Sequence, residues 1–114
     1  MIEQLSPKDL APWAQEQLSL GRKPVVVDVR EDWEIKLASI KAEGFELKHI
    51  VMNEIPGALD QFNETQAIAV LCHHGGRSQN VAHFLVSNGV KHVSNISGGI
   101  NAWSHEVDPS VPVY

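Results

Sequence analysis

Residues 67–89 read AIAVLCHHGGRSQNVAHFLVSNG, and this stretch sets the fold expected for the chain. Its first six residues are an apolar run without polar alternation, which predicts a strand buried on both faces. Val81, Ala82, Phe84 and Leu85 then share one face of a helix that Gly89 can stop. A strand passing through a glycine loop into a helix is half of a βαβ unit, and the alternation recurs on both sides. PVVVDVR (24–30) is another unalternating β-branched run, and LKHIVMN (47–53) and VKHVSNI (90–96) also read as strands. Between them fall helical spacings. Ser6 is placed as an N-cap with Pro7 at the first helical position and Asp9 in the first turn; Leu10, Trp13, Ala14 and Leu18 form one face, ended by Gly21. EDWEIKLASIKA (31–42) is helical through Trp33, Leu37 and Ile40. NEIPGALDQF (53–62) is a short helix capped by Asn53 with Pro56 in its first turn, and GINAWSHEV (99–107) is a last helix before the tail DPSVPVY. The expected class is α/β: one domain, 1–114, with a mostly parallel sheet and helices on both faces. Ligands of such sheets bind outside the carboxyl ends of the strands. Cys72 stands at that end of the most apolar strand.

The 114 residues carry 43% hydrophobic and 20% charged side chains, the balance of an ordinary globular domain. A formal charge of -5 and the lack of a Lys/Arg cluster argue against a nucleic-acid partner. No apolar run approaches a membrane span, so no membrane partner is expected, and the first residues lack the basic and apolar regions of a signal peptide. A cytoplasmic location is expected. The single cysteine cannot form a disulfide within the chain, which points to a free thiol in a reducing compartment.

A lone cysteine closing an apolar strand is ordinarily a small buried hydrophobe. CHHGGRS (72–78) sets this one apart. A thiolate is the nucleophilic form of cysteine, and the N-terminus of the helix beginning about five residues on can turn free amides and a positive dipole end toward it. Gly75 and Gly76 allow backbone conformations closed to other residues and a close approach to a ligand. Successive amides can then make an anion-binding nest, and Arg77 adds a permanent cation suited to an oxyanion. His73 and His74 shape the mouth or add conditional charge. Adjacent residues rarely aim at one ion, and no second ligand pair stands at zinc spacing, so neither a metal nor any cofactor is expected. His49, His83, His92 and His105 read as surface or satisfied histidines.

CHHGGRS has the C-x-x-G-x-R-S form of the active-site loop of the rhodanese family of sulfurtransferases, which the chain resembles over nearly its whole length. VVVDVREDWE (25–34) is similar to the family's early D-V-R-E strand and helix start, and VSNISGGINAWSHEVDPSVPVY (93–114) to its closing G-G-x-x-A-W segment. The resemblance implies a single rhodanese domain with a roughly five-stranded sheet. It also implies the chemistry: Cys72 attacks the outer sulfur of a small anionic donor such as thiosulfate, keeps that sulfur as a persulfide, and yields it to a thiophilic acceptor. In that scheme His73, His74, Gly75, Gly76, Arg77 and Ser78 form the substrate cradle. Arg77 holds the departing oxyanion or orients the loop, and Ser78 caps the following helix. Asp28 and Arg30, from the D-V-R motif, are expected to be structural charges near the site. Glu31 and Glu34 read as helix-start charges, and Trp103 as core. The family's G-H-I-x-G-A segment is represented over 38–59 only by a displaced "HI" and "GA".

Three other roles compete. The cell-division-cycle phosphatases resemble rhodaneses but place five residues between cysteine and arginine, where this chain places four; that spacing favours sulfur over phosphate. Rhodanese modules also serve as regulatory domains, often without the cysteine this chain keeps. Delivery of the persulfide to a sulfur-acceptor protein requires the same loop as small-molecule transfer.

Overall fold

A computed structural model of the chain describes residues 2–114. Five strands form one sheet: β1 (Glu3–Leu5), β2 (Lys23–Asp28), β3 (Glu46–His49), β4 (Gln66–Leu71) and β5 (Val93–Ile96). Their order is β1-β5-β4-β2-β3, and every pairing is parallel. The helices are α1 (Leu10–Ser19), α2 (Asp32–Leu37), α3 (Gly76–Ser87) and α4 (Gly99–Glu106), with a 3-10 helix over Met52–Gln61.

The unalternating runs are the centre of the sheet, buried on both sides. On one face Val25 and Val27 of β2 and Ile68 and Val70 of β4 pack with Val81, Ala82 and Leu85 of α3 and with Ile55 and Ala58 of the 3-10 helix. On the other, Val26, Ala67, Ala69 and Leu71 meet Leu10, Trp13 and Ala14 of α1 and Ile100 and Trp103 of α4. The chain leaves β2 toward β3 and leaves β4 in the opposite direction, so the carboxyl ends of β2 and β4 flank the point where the strand order reverses. Asp28 lies in register with Leu71 there, one residue before Cys72.

The parallel sheet expected from the sequence is parallel at every pairing. Its edge strand β1 carries no apolar run, since only Leu5 of its three residues is buried. Several local expectations are corrected. Ser6 Oγ donates to Asp9 Oδ2 at 2.7 Å instead of capping an amide, and a 3-10 turn, Pro7–Asp9, precedes α1. Asn53 lies inside the 3-10 helix, which starts at Met52 and follows Val51. Proline without an N–H interrupts an α ladder, and Pro56 falls mid-segment. The helix expected over 31–42 stops at Leu37 and is turned the other way. Trp33 and Leu37 are 60% and 50% exposed, while Glu34 is buried. Ile40 is buried beyond the helix end. A buried ion network, described next, outweighs the apolar face of α2.

Candidate active site

The loop between β4 and α3 closes around the sulfur of Cys72, a residue only 1% exposed. Gly75 stands at the N-cap of α3 with φ +108°, a left-handed conformation that a side chain rarely adopts. This turn aims two amides at the thiol: Gly75 N–H and Ser78 N–H donate to Sγ at 3.1 and 3.3 Å. Ser78 Oγ lies 3.2 Å from Sγ and accepts from the thiol. The same hydroxyl faces the Gly75 carbonyl and the Asn95 Oδ1 acceptor on β5, and Asn95 Nδ2 is tied to Gln4 Oε1 at 2.9 Å. Among the described residues the amides of Gly76 and Arg77, the first two of α3, have no acceptor. A Cβ built on Gly76 meets nothing within 4 Å, so the loop is open to solvent at that point.

The other side of the loop is held by α4. Ile100 N–H donates to Cys72 O at 2.9 Å and Asn101 N–H to His73 O at 3.1 Å. Both carbonyls are thus drawn away from the sulfur, leaving the amide side of the loop to face it. Only glycine permits this approach at position 99: its φ is +57°, and a Cβ there falls against the carbonyl oxygens of Cys72 and His73. The G-G of the closing motif is therefore part of the site's construction.

Arg77 does not point free into the loop. Its guanidinium makes a bidentate pair with Glu34 of α2, Nη1–Oε1 2.6 Å and Nη2–Oε2 2.8 Å. Glu34 is 2% exposed as a side chain and Arg77 35%. Glu34 Oε1 also accepts the Glu31 amide at 3.0 Å, completing a capping box, and Oε2 accepts the Tyr114 hydroxyl at 2.7 Å. The Arg77 bond outweighs burial and holds the Glu34 carboxyl down at about 2. The same bond raises Arg77 above its ordinary range. Glu34 and Tyr114 join the site although their sequence context showed only a helix start and a tail.

Asp28 and Arg30 form the floor of this network. Arg30 is fully buried and pairs with Asp28 through Nε–Oδ1 at 2.9 Å and Nη2–Oδ2 at 2.8 Å. It also donates to Ala38 O and to the Tyr114 hydroxyl, each at 2.9 Å. Burial opposes its charge, and the bonds to Asp28 and Tyr114 more than restore it. The Tyr114 ring stacks on His73 at 3.9 Å and 7°, and His74 lies over the other side of His73 at 3.9 Å. Burial, aided by His74, lowers the basicity of His73 and favours its neutral form. Its Nε2 is buried without a partner among the described residues. His74 itself is exposed.

The chain is thus a wholly parallel α/β domain that presents a thiol one residue past its central strand, met by the Gly75 and Ser78 amides at the start of the next helix. The rhodanese-like domain model matches residues 10–106, and the chain belongs to that family of sulfurtransferases. It is 39% identical over 114 residues to rhodanese-like/PpiC domain-containing protein 12, chloroplastic, of Arabidopsis thaliana, covering 99% of this chain and 36% of that one. YtwF of Bacillus subtilis, whose name marks it provisionally as a sulfurtransferase, is 33% identical over 97 residues, 83% of this chain and 87% of its own. The solved rhodanese-like domain protein from Staphylococcus aureus superposes with a TM-score of 0.73 at 27% identity, covering 99% of both chains. The chain thus spans about a third of the plant relative and most of the bacterial one.

Proposed function

We propose that the protein transfers sulfane sulfur by carrying it as a persulfide on Cys72. The observation that carries this reading is the convergence of the Gly75 and Ser78 amides on Sγ, at 3.1 and 3.3 Å. Amide donors fixed before the reaction stabilise a thiolate without reorganisation. With thiosulfate, the Cys72 thiolate bonds to the outer sulfur, the sulfur–sulfur bond of the donor breaks with its electron pair, and sulfite departs. The persulfide then gives its outer sulfur to a nucleophilic acceptor such as cyanide and the thiolate returns. The unpaired amides of Gly76 and Arg77 are left to receive the outer sulfur, and Gly76 marks the open approach. His73 and His74 form the wall, and Ser78, held by Asn95, serves both as donor and as acceptor at Sγ.

Arg77 acts in this scheme by orienting the loop, since both arms of its guanidinium are engaged by Glu34. Asp28 and Arg30 support the same wall from below. Delivery to a protein thiol uses the same persulfide and differs only in the acceptor. Steady-state kinetics with thiosulfate and cyanide test the proposal. Parallel double-reciprocal lines, lost entirely in Cys72→Ser, are expected. Intersecting lines, or activity surviving in Cys72→Ser, contradict a covalent sulfur carrier on this residue.

A further inference from the structure

The donor a persulfide site selects depends on the charge it can neutralise. Thiosulfate enters as a dianion and leaves as sulfite, also a dianion at alkaline pH, so its use gains most from an uncompensated cation beside the attacked sulfur. Around Cys72 both permanent cations are already matched. Arg77 is held by both oxygens of Glu34, and Arg30 by both oxygens of Asp28. His73 is biased to its neutral form and His74 faces solvent. The exposed charges at the start of α2, Glu31 at its N-cap and Asp32, are both acidic, and its exposed cation, Lys36, lies in the last turn, at the opposite end of the helix. The remaining wall is aromatic: the His73 ring, Tyr114 stacked on it, and the exposed Trp33 set edge-on to Tyr114 at 6.3 Å.

Resting on the persulfide reading above, we infer that the preferred donor is a hydropersulfide of low charge, R–S–SH, and that Glu34 is the positioning residue that sets this choice by holding Arg77 in a neutral pair. The Cys72 thiolate attacks the outer sulfur of R–S–SH. A bond forms between Sγ and that sulfur, the donor's sulfur–sulfur bond breaks, and its electron pair leaves on R–S⁻, which takes up the proton released when Cys72 ionised. One thiol and one hydropersulfide enter, and one of each leaves; no external oxidant or reductant is needed. The leaving thiolate carries one charge, which the free helix-start amides can meet without an additional cation.

Glu34→Gln tests the assignment because it keeps the side-chain shape and removes the charge that cancels Arg77. Single-turnover loading of Cys72 is to be followed with thiosulfate and with a neutral alkyl hydropersulfide, in wild type and variant. The wild type is expected to load from the hydropersulfide with the higher second-order rate constant. In Glu34→Gln the ratio of the thiosulfate constant to the hydropersulfide constant should rise about tenfold, the order of one charge-assisted hydrogen bond from the released Arg77 to the dianion. A ratio unchanged in a folded variant, or a wild type that loads faster from thiosulfate, overturns the inference. Should the variant fail to fold, salt dependence in the wild type decides. With Arg77 neutralised only the repulsion between the thiolate and the dianion remains, so the thiosulfate rate should stay level or rise with ionic strength, whereas a steep fall with salt reveals an uncompensated cation and sinks the inference. If neither donor adds sulfur to Cys72, the persulfide reading itself fails; if both do without the expected ratio or salt behaviour, only the choice of donor fails.

Discussion

Replacing Glu34 by glutamine should also change how the fold responds to acid. In the folded protein the Glu34 carboxyl lies at about 2, against an ordinary value of 4.5. Its folded value is below its unfolded one, so its contribution is fully present above about pH 4.5 and is lost as pH falls from there toward 2. The gap corresponds to ~3 kcal/mol. Arg77 is about one-third exposed, and solvent screening reduces the expected contribution to roughly 2 kcal/mol. At pH 7, Glu34→Gln should therefore unfold more easily by about that amount, or roughly 5–10 °C in Tm for a domain of this size. Near pH 2.5 the wild-type carboxyl begins to protonate and resembles the amide, so the gap should narrow. Urea unfolding of both proteins from pH 7 to pH 2.5 measures the difference while the other carboxylates, common to both, largely cancel. A gap that stays constant over this range, or equal stability at pH 7, refutes the account of the Glu34–Arg77 pair.

Asp28→Ala leaves Arg30 buried without its carboxylate. Loss of one partner of a buried pair costs ~3–5 kcal/mol, so a large fall in Tm is expected; an inactive variant of wild-type stability would instead make Asp28 part of the chemistry. Gly99→Ala should displace the loop, because the new Cβ falls against the Cys72 and His73 carbonyls; a variant with unchanged stability and turnover would show that the approach of α4 is not required. The protein should show little activity on aryl phosphates, since four residues between Cys72 and Arg77 enclose less space than five and misplacement by about 1 Å can cost on the order of a hundredfold. Efficient hydrolysis dependent on Cys72 would reverse that conclusion.

The central strands and the cysteine loop were legible because their signals are local. PVVVDVR and AIAVLC declare double burial by lacking alternation, and the two glycines of CHHGGRS announce an unusual backbone beside a thiol. What was hidden lies in pairings between distant residues. Glu34 sits on a helix whose apolar residues suggested the opposite face, and it is turned inward by Arg77, 43 positions away. Tyr114 follows a proline-containing tail, where nothing in the spacing shows that its ring covers His73 or that its hydroxyl joins Arg30 to Glu34. Asn95 is a buried polar residue in an otherwise ordinary strand, and its partner Ser78 lies on another element. β1 was invisible for a simpler reason. Three residues with two exposed side chains carry no period. The motif resemblance nevertheless anticipated the five-stranded sheet, while Arg77's engagement was beyond what its motif position could show.

The most direct measurement is the intact mass of the protein after exposure to a sulfane-sulfur donor. Wild type should gain one sulfur atom from a neutral alkyl hydropersulfide and, more slowly, from thiosulfate. The gain should disappear on adding cyanide and be absent in Cys72→Ser. An unchanged mass with both donors, or an equal gain in Cys72→Ser, would contradict a persulfide carried on Cys72.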